Sequence, residues 1–474
     1  MKTHCNQKSL EFQTENSRKI MAHFNGGNIS SDSGGLLLQQ TERITGIISQ
    51  FAGCFTDHRD PDLSEHTVKE LIAQRIYALA LGYEDLNDHD ELRNDPLLAV
   101  MVGKKDPTGK DRIRKRDKGK PLAGKSTLNR LELTPVRANK RSRYKKITVN
   151  KHAVDAFFTN VFLQSYDKPP SIIVLDLDAT DDPIHGHQLG RFFHGYYGNY
   201  CYLPLYIFCG EHLLCARLRP SDIDASAGSV KELERIVSQI RSQWPDVQII
   251  IRADSGFCRE HIMFWCEANK VDYILGLAKN NRLKNEIAQE LEQAKEFYEQ
   301  TSQASRVYKD FEYQTLESWS KARRVIGKAE YMEKGENPRF VVTSLSSDEF
   351  DVKTLYEQQY CARGEMENRI KEQQLCLFAD RTSAATMRAN QLRLWLSSVA
   401  YTLLSALRRL GLKGTKLARA RCDTIRLKLL KIGAQIKITV RKVWVRFSES
   451  YPYQQLFKQV YENLRRLCPI PLRC

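Results

Sequence analysis

Two short runs constrain this chain more than any other feature. SIIVLDLD (171–178) and VQIIIRAD (247–254) are nearly continuous aliphatic stretches, and each ends in an aspartate. Runs of this length and composition read as buried strands. Between them stand NYCYLPLYIF (199–208) and HLLCARLR (212–219), joined by CGE as a hairpin, and an amphipathic helix, AGSVKELERIVSQIRSQW (227–244). A helix over 258–269 and a strand over 271–278 follow, so the order is β-β-β-α-β-α-β. This predicts an α/β sheet, in which ligands gather at strand ends. Asp178 and Asp254 are therefore candidate site residues.

A third acid lies in YCARGEMENRIKE. On a helix, Tyr360, Arg363, Glu367 and Lys371 follow one another at spacings of three, four and four and share one face. Arg grips phosphate oxygens bidentately, and Tyr can donate a hydrogen bond. Phosphodiester cleavage needs an activated oxygen nucleophile and a stabilised leaving oxygen. Two Mg²⁺ ions about 4 Å apart, held by a few carboxylates, can supply both. Asp178, Asp254 and Glu367 are the expected catalytic and metal-holding set, with Mn²⁺ able to replace Mg²⁺. Asp176, two residues before Asp178, points to the same strand face, and the sequence leaves the choice between them open. Asp181 and Asp182 are weaker rivals, and Glu365 falls off the Tyr360–Arg363 face. His185, His187 and His194 lie near Asp178 without a Cys partner or a clear fourth ligand. They read as substrate contacts or turn packing rather than as zinc ligands.

Charge names the class of partner. The chain of 474 residues carries a formal net charge of +16. Between Lys104 and Lys146, 17 Lys/Arg stand against 4 Asp/Glu, and between Leu403 and Arg446, 13 stand against 1. The rest of the chain is acidic, so these two segments supply the whole excess. Such clustering is the footprint of a polyanion, here nucleic acid. Residues 33–103 read as helices, with an Asp or Ser cap opening DLSEHTVKELIAQRIYALALGY. Residues 104–146 read as an exposed arm that orders on DNA. The expected DNA contacts there are Arg112, Arg114, Lys115, Arg116, Lys125, Ser126, Asn129, Arg130, Lys140, Arg141 and Arg143. GKPLAGKS (119–126) fits the P-loop spacing but follows a basic stretch instead of a buried strand, so it reads as a DNA-backbone loop. Further on, the pattern gives a polar helix at about 281–303, a long helix at 385–411, a strand at 436–447 and a helix at 452–466. The 12 cysteines are scattered without any CxxC and read as reduced core residues. No run of about 18 apolar residues and no apolar leader are present, so a cytoplasmic protein without a membrane partner is expected.

These residues resemble the DDE transposases. Asp178-Ala-Thr resembles their first-Asp motif, Arg-Ala-Asp254-Ser-Gly-Phe resembles the second, and Tyr360, Arg363 and Glu367 match the spacing of the Tyr-Arg-Glu subgroup. More narrowly, FNGGNISSDSGGLLL, LAGKSTLNRLE, LDLDATDD with HGHQ, FHGYYGNYCYLPLYIFCG and ENRIKE resemble insertion-sequence family 1380, over nearly the whole chain. Where the subgroup carries Lys, seven positions after the Glu, this chain has Gln374, and Lys371 on the same face is the candidate substitute. The resemblance implies an α/β, RNase H-like (retroviral-integrase-like) core over 151–280 and 339–411, with an inserted, mainly β subdomain at 281–338. Around it stand a helical N-terminal DNA-binding domain (1–103), the basic arm (104–150) and a basic, α-rich C-terminal region (412–474). It further implies a bacterial, nucleoid-associated enzyme that binds the terminal inverted repeats of its element. Such an enzyme cuts double-stranded DNA and joins the 3′-hydroxyl ends to target DNA as a homodimer. Two other readings stay open on the sequence: an RNase H-like nuclease or resolvase without strand transfer, and a DNA-binding regulator with an inactive core.

Overall fold

A computed structural model describes residues 10–12 and 18–468. The first nine residues, part of the stretch expected to lack a leader, lie outside the described residues. The chain forms two compact units, one of residues 1–149 with 399–474 and one of residues 150–398. No helix among the described residues is long and apolar enough to cross a membrane.

The unit 150–398 is built on one mixed sheet. Its elements begin with α1 (Lys151–Leu163), β1 (Ile172–Ala179), β2 (Leu205–Cys209), β3 (His212–Arg217), α2 (Ser229–Gln243), β4 (Gln248–Ala253), α3 (Glu260–Ala268) and β5 (Asp272–Leu277). They continue through α4 (Ala288–Thr301), β6 (Ser305–Tyr313), β7 (Arg323–Met332), β8 (Gly335–Glu336) and β9 (Arg339–Thr343). The strand order is 3-2-1-4-5-9-7-6, with β8 paired to β7. β1, β4 and β5 are mutually parallel, while β2 and β9 join them antiparallel.

NYCYLPLYIF does not form one strand. Pro204 has no N–H to give to a ladder, and the chain divides there. Asn199–Tyr202 pairs with Asp182–Pro183 and Phe192–His194 in a small separate sheet, and Leu205–Cys209 becomes β2. Residues 281–338, expected as an inserted, mainly β subdomain, hold α4 and β6 to β8. β6 pairs with β7, β7 with β9 and β9 with β5, so the segment widens the central sheet.

Alternation along β1 sorts its side chains. Ile173, Leu175 and Leu177 enter a core with Leu233, Ile236 and Ile240 of α2 and Ile262 and Met263 of α3. Val174 faces the opposite side, against Ile250, Ile274, Val341 and Leu355. By the same period of two, Asp176 and Asp178 share that opposite side. The segment read as one helix through YCARGEMENRIKE is three turns of different pitch. A wide π-type stretch (Thr354–Tyr360) tightens to a 3₁₀ turn (Cys361–Arg363) before α5 (Gly364–Leu377). Wide turns of this kind re-aim side chains and recur at functional sites. A long helix, α6 (Met387–Leu410), leads the chain out of the unit.

In the other unit, helices Leu36–Thr45, Ile47–Ala52, Val68–Leu81 and Pro96–Val102 realise the expected helical region. The cap of Val68–Leu81 is Thr67, not an upstream Asp or Ser. Its hydroxyl accepts the N–H of Glu70 at 3.2 Å, and the Glu70 carboxylate accepts that of Thr67 at 2.9 Å. The run 436–447 is a hairpin instead of a single strand. Ala434–Ile438 pairs with Val443–Phe447 and with Asn28–Ser30, so the C-terminal basic segment shares a sheet with a strand near the N-terminus.

The segment 104–146 is folded, not an open arm. It holds a 3₁₀ turn (Lys115–Asp117) and a helix (Lys125–Glu132), and the strand that follows it, Ile147–Val149, pairs with Phe55–Asp57. Few apolar residues are available, so polar chemistry anchors it. Arg75, inside the buried helix, meets Glu132 at 3.1 Å with both side chains almost fully buried. Gln74 donates to the Ala123 carbonyl at 2.8 Å and accepts the Ala123 N–H at 3.0 Å. Removing one partner of a buried ion pair strands the other charge in a poor solvent. Glu132→Ala should therefore cost about 3–5 kcal/mol in chemical unfolding of this unit. A loss below about 1 kcal/mol, the range of a surface pair, would show that the pair does not anchor the segment.

Candidate active site

β1 and β4 are in register with Leu177 opposite Ala253. One residue further along each strand come Asp178 and Asp254, so the two carboxylates leave adjacent parallel strands side by side. Asp254 caps the 3₁₀ turn Ser255–Phe257, its Oδ1 accepting the N–H of Gly256 at 2.9 Å. Asp178 Oδ1 accepts the N–H of Ala179 at 2.9 Å. Burial, and then the charge of Asp254, push the Asp178 carboxyl up to about 7.

Asp176 lives differently. Register puts Arg252 opposite it, and the guanidinium holds both carboxylate oxygens at 2.5 and 2.8 Å. The same guanidinium donates to the Gln359 carbonyl. Asp176 is 3% exposed and engaged on both oxygens.

The third acid comes from α5. Glu367 Oε1 lies 2.9 Å from Arg363 Nη2, and Arg363 Nη1 lies 3.9 Å from Asp178 Oδ2. Arg363 thus bridges the Glu helix and the strand end. Burial pulls its pKa down, but Asp178, Tyr360, Glu367 and Asp254 outweigh this and hold it above the ordinary value. Tyr360 sits over Gly276 of β5. A Cβ on Gly276 would lie 2.5 Å from the Tyr360 hydroxyl and 3.0 Å from the Ser255 nitrogen, so only glycine leaves room there.

Asp178, Asp254, Glu367, Arg363 and Lys371 line one cleft of about 770 Å³, with His194, Tyr196 and Tyr197 on another wall. The His194 ring packs on Tyr197 at 4.9 Å, and His187 Nδ1 meets Arg191 Nη2 at 2.9 Å. Gln374, which stands where the resembling subgroup has Lys, is half-buried and lines the same cleft. Its Nε2 donates to the Asp181 carbonyl and to Asp182 Oδ1, each at 3.1 Å, tying α5 to the loop after β1. Gly276 was not anticipated, although a glycine inside the apolar strand VDYILGLA was an available sign of it. Gln374 was noted as a departure from the subgroup's Lys, but its bonds to Asp181 and Asp182 were not anticipated.

Among the described residues, no three His, Cys, Asp or Glu groups converge closely enough to hold a metal ion. The donor set nevertheless suits a hard divalent cation: oxygen ligands only, and two adjacent carboxylates of which one is held toward its neutral form by burial and then by the other's charge. Arg363 is the positive charge now set between Asp178 and Glu367.

The expected DNA contacts belong to the other unit. Lys125 lies 3.4 Å from Asp90, Arg130 and Arg143 flank the Tyr144 ring at 5.0 and 4.9 Å, and Lys115, Asn129, Lys140 and Arg141 are exposed. Arg114, Arg116, Ser126 and Arg130 line a cleft of about 530 Å³. Arg112 is a strut and not an exposed contact. It is 6% exposed, grips Glu65 through Nε and Nη2 at 3.1 Å each, and donates to the carbonyls of Lys120 and Leu122.

The burial of Asp178 beside the charge of Asp254 has a measurable sign. Without metal, the folded protein keeps a proton on Asp178 up to about pH 7, whereas the unfolded chain releases it near pH ~4. The carboxyl therefore lowers stability progressively as pH rises from about 4 through 7. Asp178→Asn, which mimics the protonated form, should melt higher than wild type at pH 8 in chelator, and the two should converge near pH 4. Identical melting curves across that range would contradict the raised Asp178 carboxyl.

Residues 12–469 match the family described as "Transposase DDE domain group 1". No curated protein matches the chain. Among solved structures, one titled "Cryo-EM structure of piggyBac transposase synaptic complex with hairpin DNA (SNHP)" is similar at 12% identity and a TM-score of 0.39. That likeness covers 94% of this chain and 87% of the other, and is too loose to carry residue-level argument.

Proposed function

The chain belongs to the Transposase DDE domain group 1 family, and we propose that within it the protein is the transposase of a bacterial insertion sequence of family 1380. It binds the terminal inverted repeats of its element, cuts double-stranded DNA and joins the 3′-hydroxyl ends to target DNA. The observation that carries this reading is the gathering of Asp178, Asp254, Glu367 and Arg363 on one cleft. The strand order 3-2-1-4-5 with the first acid on β1, the second just past β4 and the third on a late helix supports an RNase H-like core.

Two divalent cations, Mg²⁺ or Mn²⁺, when bound at this site supply activation of the attacking oxygen and charge stabilisation of the leaving one. Asp178, Asp254 and Glu367 are the residues that would hold them. To hold them, Asp178 would give up the proton that burial and the charge of Asp254 favour. Arg363 grips the phosphate at the cut, exchanging its contact with Glu367 for phosphate oxygens. Tyr360 donates its hydroxyl hydrogen toward the same group, with Gly276 leaving it the space. In the first step a water oxygen attacks phosphorus and the P–O3′ bond breaks, freeing a 3′-hydroxyl. In the second, that hydroxyl attacks a target phosphodiester and the target's 3′-oxygen leaves. Lys371 on the cleft wall adds positive charge for the DNA strand. A homodimer in the paired-end complex brings both transposon ends to one target, and in the bacterial cell the protein works at the nucleoid.

The test is a strand-transfer assay with transposon-end duplex, Mg²⁺ and a target plasmid. Asp178→Ala, Asp254→Ala and Glu367→Ala should each lower joined product on the order of 10³-fold while DNA binding persists. Asp176→Ala should instead lose stability, because it strands Arg252. An active Asp178→Ala beside a stable, inactive Asp176→Ala would overturn the assignment of the first acid. Cleavage without joined product would make the protein a nuclease, and intact function in Asp254→Ala would make it a DNA-binding regulator.

A further inference from the structure

The loop that resembles a P-loop without its strand remains to be explained. GKPLAGKS runs into the helix Lys125–Glu132, which begins at Gly124 with no side-chain cap of its own. Lys120, Gly124, Ser126 and Thr127 of this region line the cleft of about 530 Å³, together with arginines from three separate stretches. Its lining holds seven Arg or Lys and three Asp or Glu.

The acids are already engaged. Glu65 is held by Arg112 at 3.1 Å, Asp117 by Arg93 at 2.8 Å, and Asp90 by Lys125 at 3.4 Å. Among the described residues, Arg114, Lys120 and Arg130 have no carboxylate partner, and Arg116 meets Asp117 only at 3.8 Å. Arg114, Arg116 and Arg130 are exposed. In the wall stands His66, 5% exposed, with its Nε2 buried and unpartnered, and Arg93 Nε is unpartnered as well. Burial, then Lys104 and Arg112, hold the His66 ring neutral, pulling it down to about 3. An unpartnered neutral imidazole beside surplus guanidinium groups and two hydroxyls suits an anion that both accepts hydrogen bonds and carries charge.

We propose that this cleft is a phosphate clamp for the DNA backbone, in which Arg114, Arg116 and Arg130 bind phosphate directly while Arg112 and Arg93 hold the walls through Glu65 and Asp117. It rests on the reading of DNA as the partner, and narrows the basic segment from a uniform charged surface to one built site. The remaining basic residues of the segment, Lys140 and Arg141 among them, then contribute only diffuse attraction.

The experiment measures binding of the full-length protein to a 30-base-pair random-sequence duplex across a salt series, in chelator so that no cutting occurs. Each phosphate contact contributes about 0.9 to the slope of log K against log salt. The triple variant Arg114→Ala, Arg116→Ala, Arg130→Ala should lower the slope by roughly 2 to 3, and Lys140→Ala with Arg141→Ala by less than about 1. His66→Phe should weaken binding several-fold at every salt concentration without changing the slope. Equal slope losses for the two basic sets would overturn the clamp in favour of a diffuse surface. A second arm titrates inorganic phosphate and dAMP alone: binding of either tighter than millimolar, with the triple variant's DNA slope unchanged, would overturn DNA as the source of the phosphate. If wild type itself binds the duplex without salt dependence, the DNA reading fails, which is distinct from failure of the clamp.

Discussion

Parallel pairing of β1 with β4, in the register that sets Leu177 beside Ala253, governs everything the site contains. It brings two carboxylates together from residues 76 positions apart and aims them past the same end of the sheet. A slip of one residue would turn one of them to the opposite face. The register is held by what lies on both sides of the strands: Ile173, Leu175 and Leu177 against α2 and α3 on one face, and Val174 with Ile250 on the other. Packing therefore outweighs an electrostatic cost that the two aspartates, left to themselves, would avoid.

Two aspartates on one face of one strand end in opposite circumstances. Asp176 meets a guanidinium on the neighbouring strand with both oxygens, a geometry that engages the whole carboxylate in structure. Asp178 meets another carboxylate and has one main-chain hydrogen bond. The first is a satisfied buried ion pair and the second an unsatisfied acid waiting for positive charge. Arg363 contributes some of that charge from the 3₁₀ turn before α5, and its contact with Glu367 keeps the third acid near the cleft.

The sequence made the central elements legible because their patterns are strong. β1, β4, β5, α2 and α6 stand within one to three residues of their expected places, and the acids at their ends followed. What could not be read depended on contacts between distant residues. Arg252 opposite Asp176 needs the register of two strands. Gly276 under Tyr360 needs the wide turn at Thr354–Tyr360, which no periodicity announces. The basic segment read as an open arm because it lacks apolar residues, yet Glu132 on Arg75 and Arg112 on Glu65 fold it through polar pairs. Arg112 in particular carries the same letter as its exposed neighbours Arg114 and Arg116, and only burial separates their roles. The joining of β6 and β7 to the central sheet was not legible, because the partner of β7, β9, lies later in the chain.

On the function proposed above, Asp178 and Asp254 form one site whose mutual repulsion a divalent cation relieves. Calorimetric titration of the chelator-treated protein with Mn²⁺ at pH 6.5, in two buffers of different ionisation enthalpy, tests it directly. Binding should release a proton from Asp178, so the apparent heat should differ between the buffers, and Asp178→Asn should bind far more weakly with no buffer dependence. Equal affinity and equal heats for wild type and Asp178→Asn would contradict the claim.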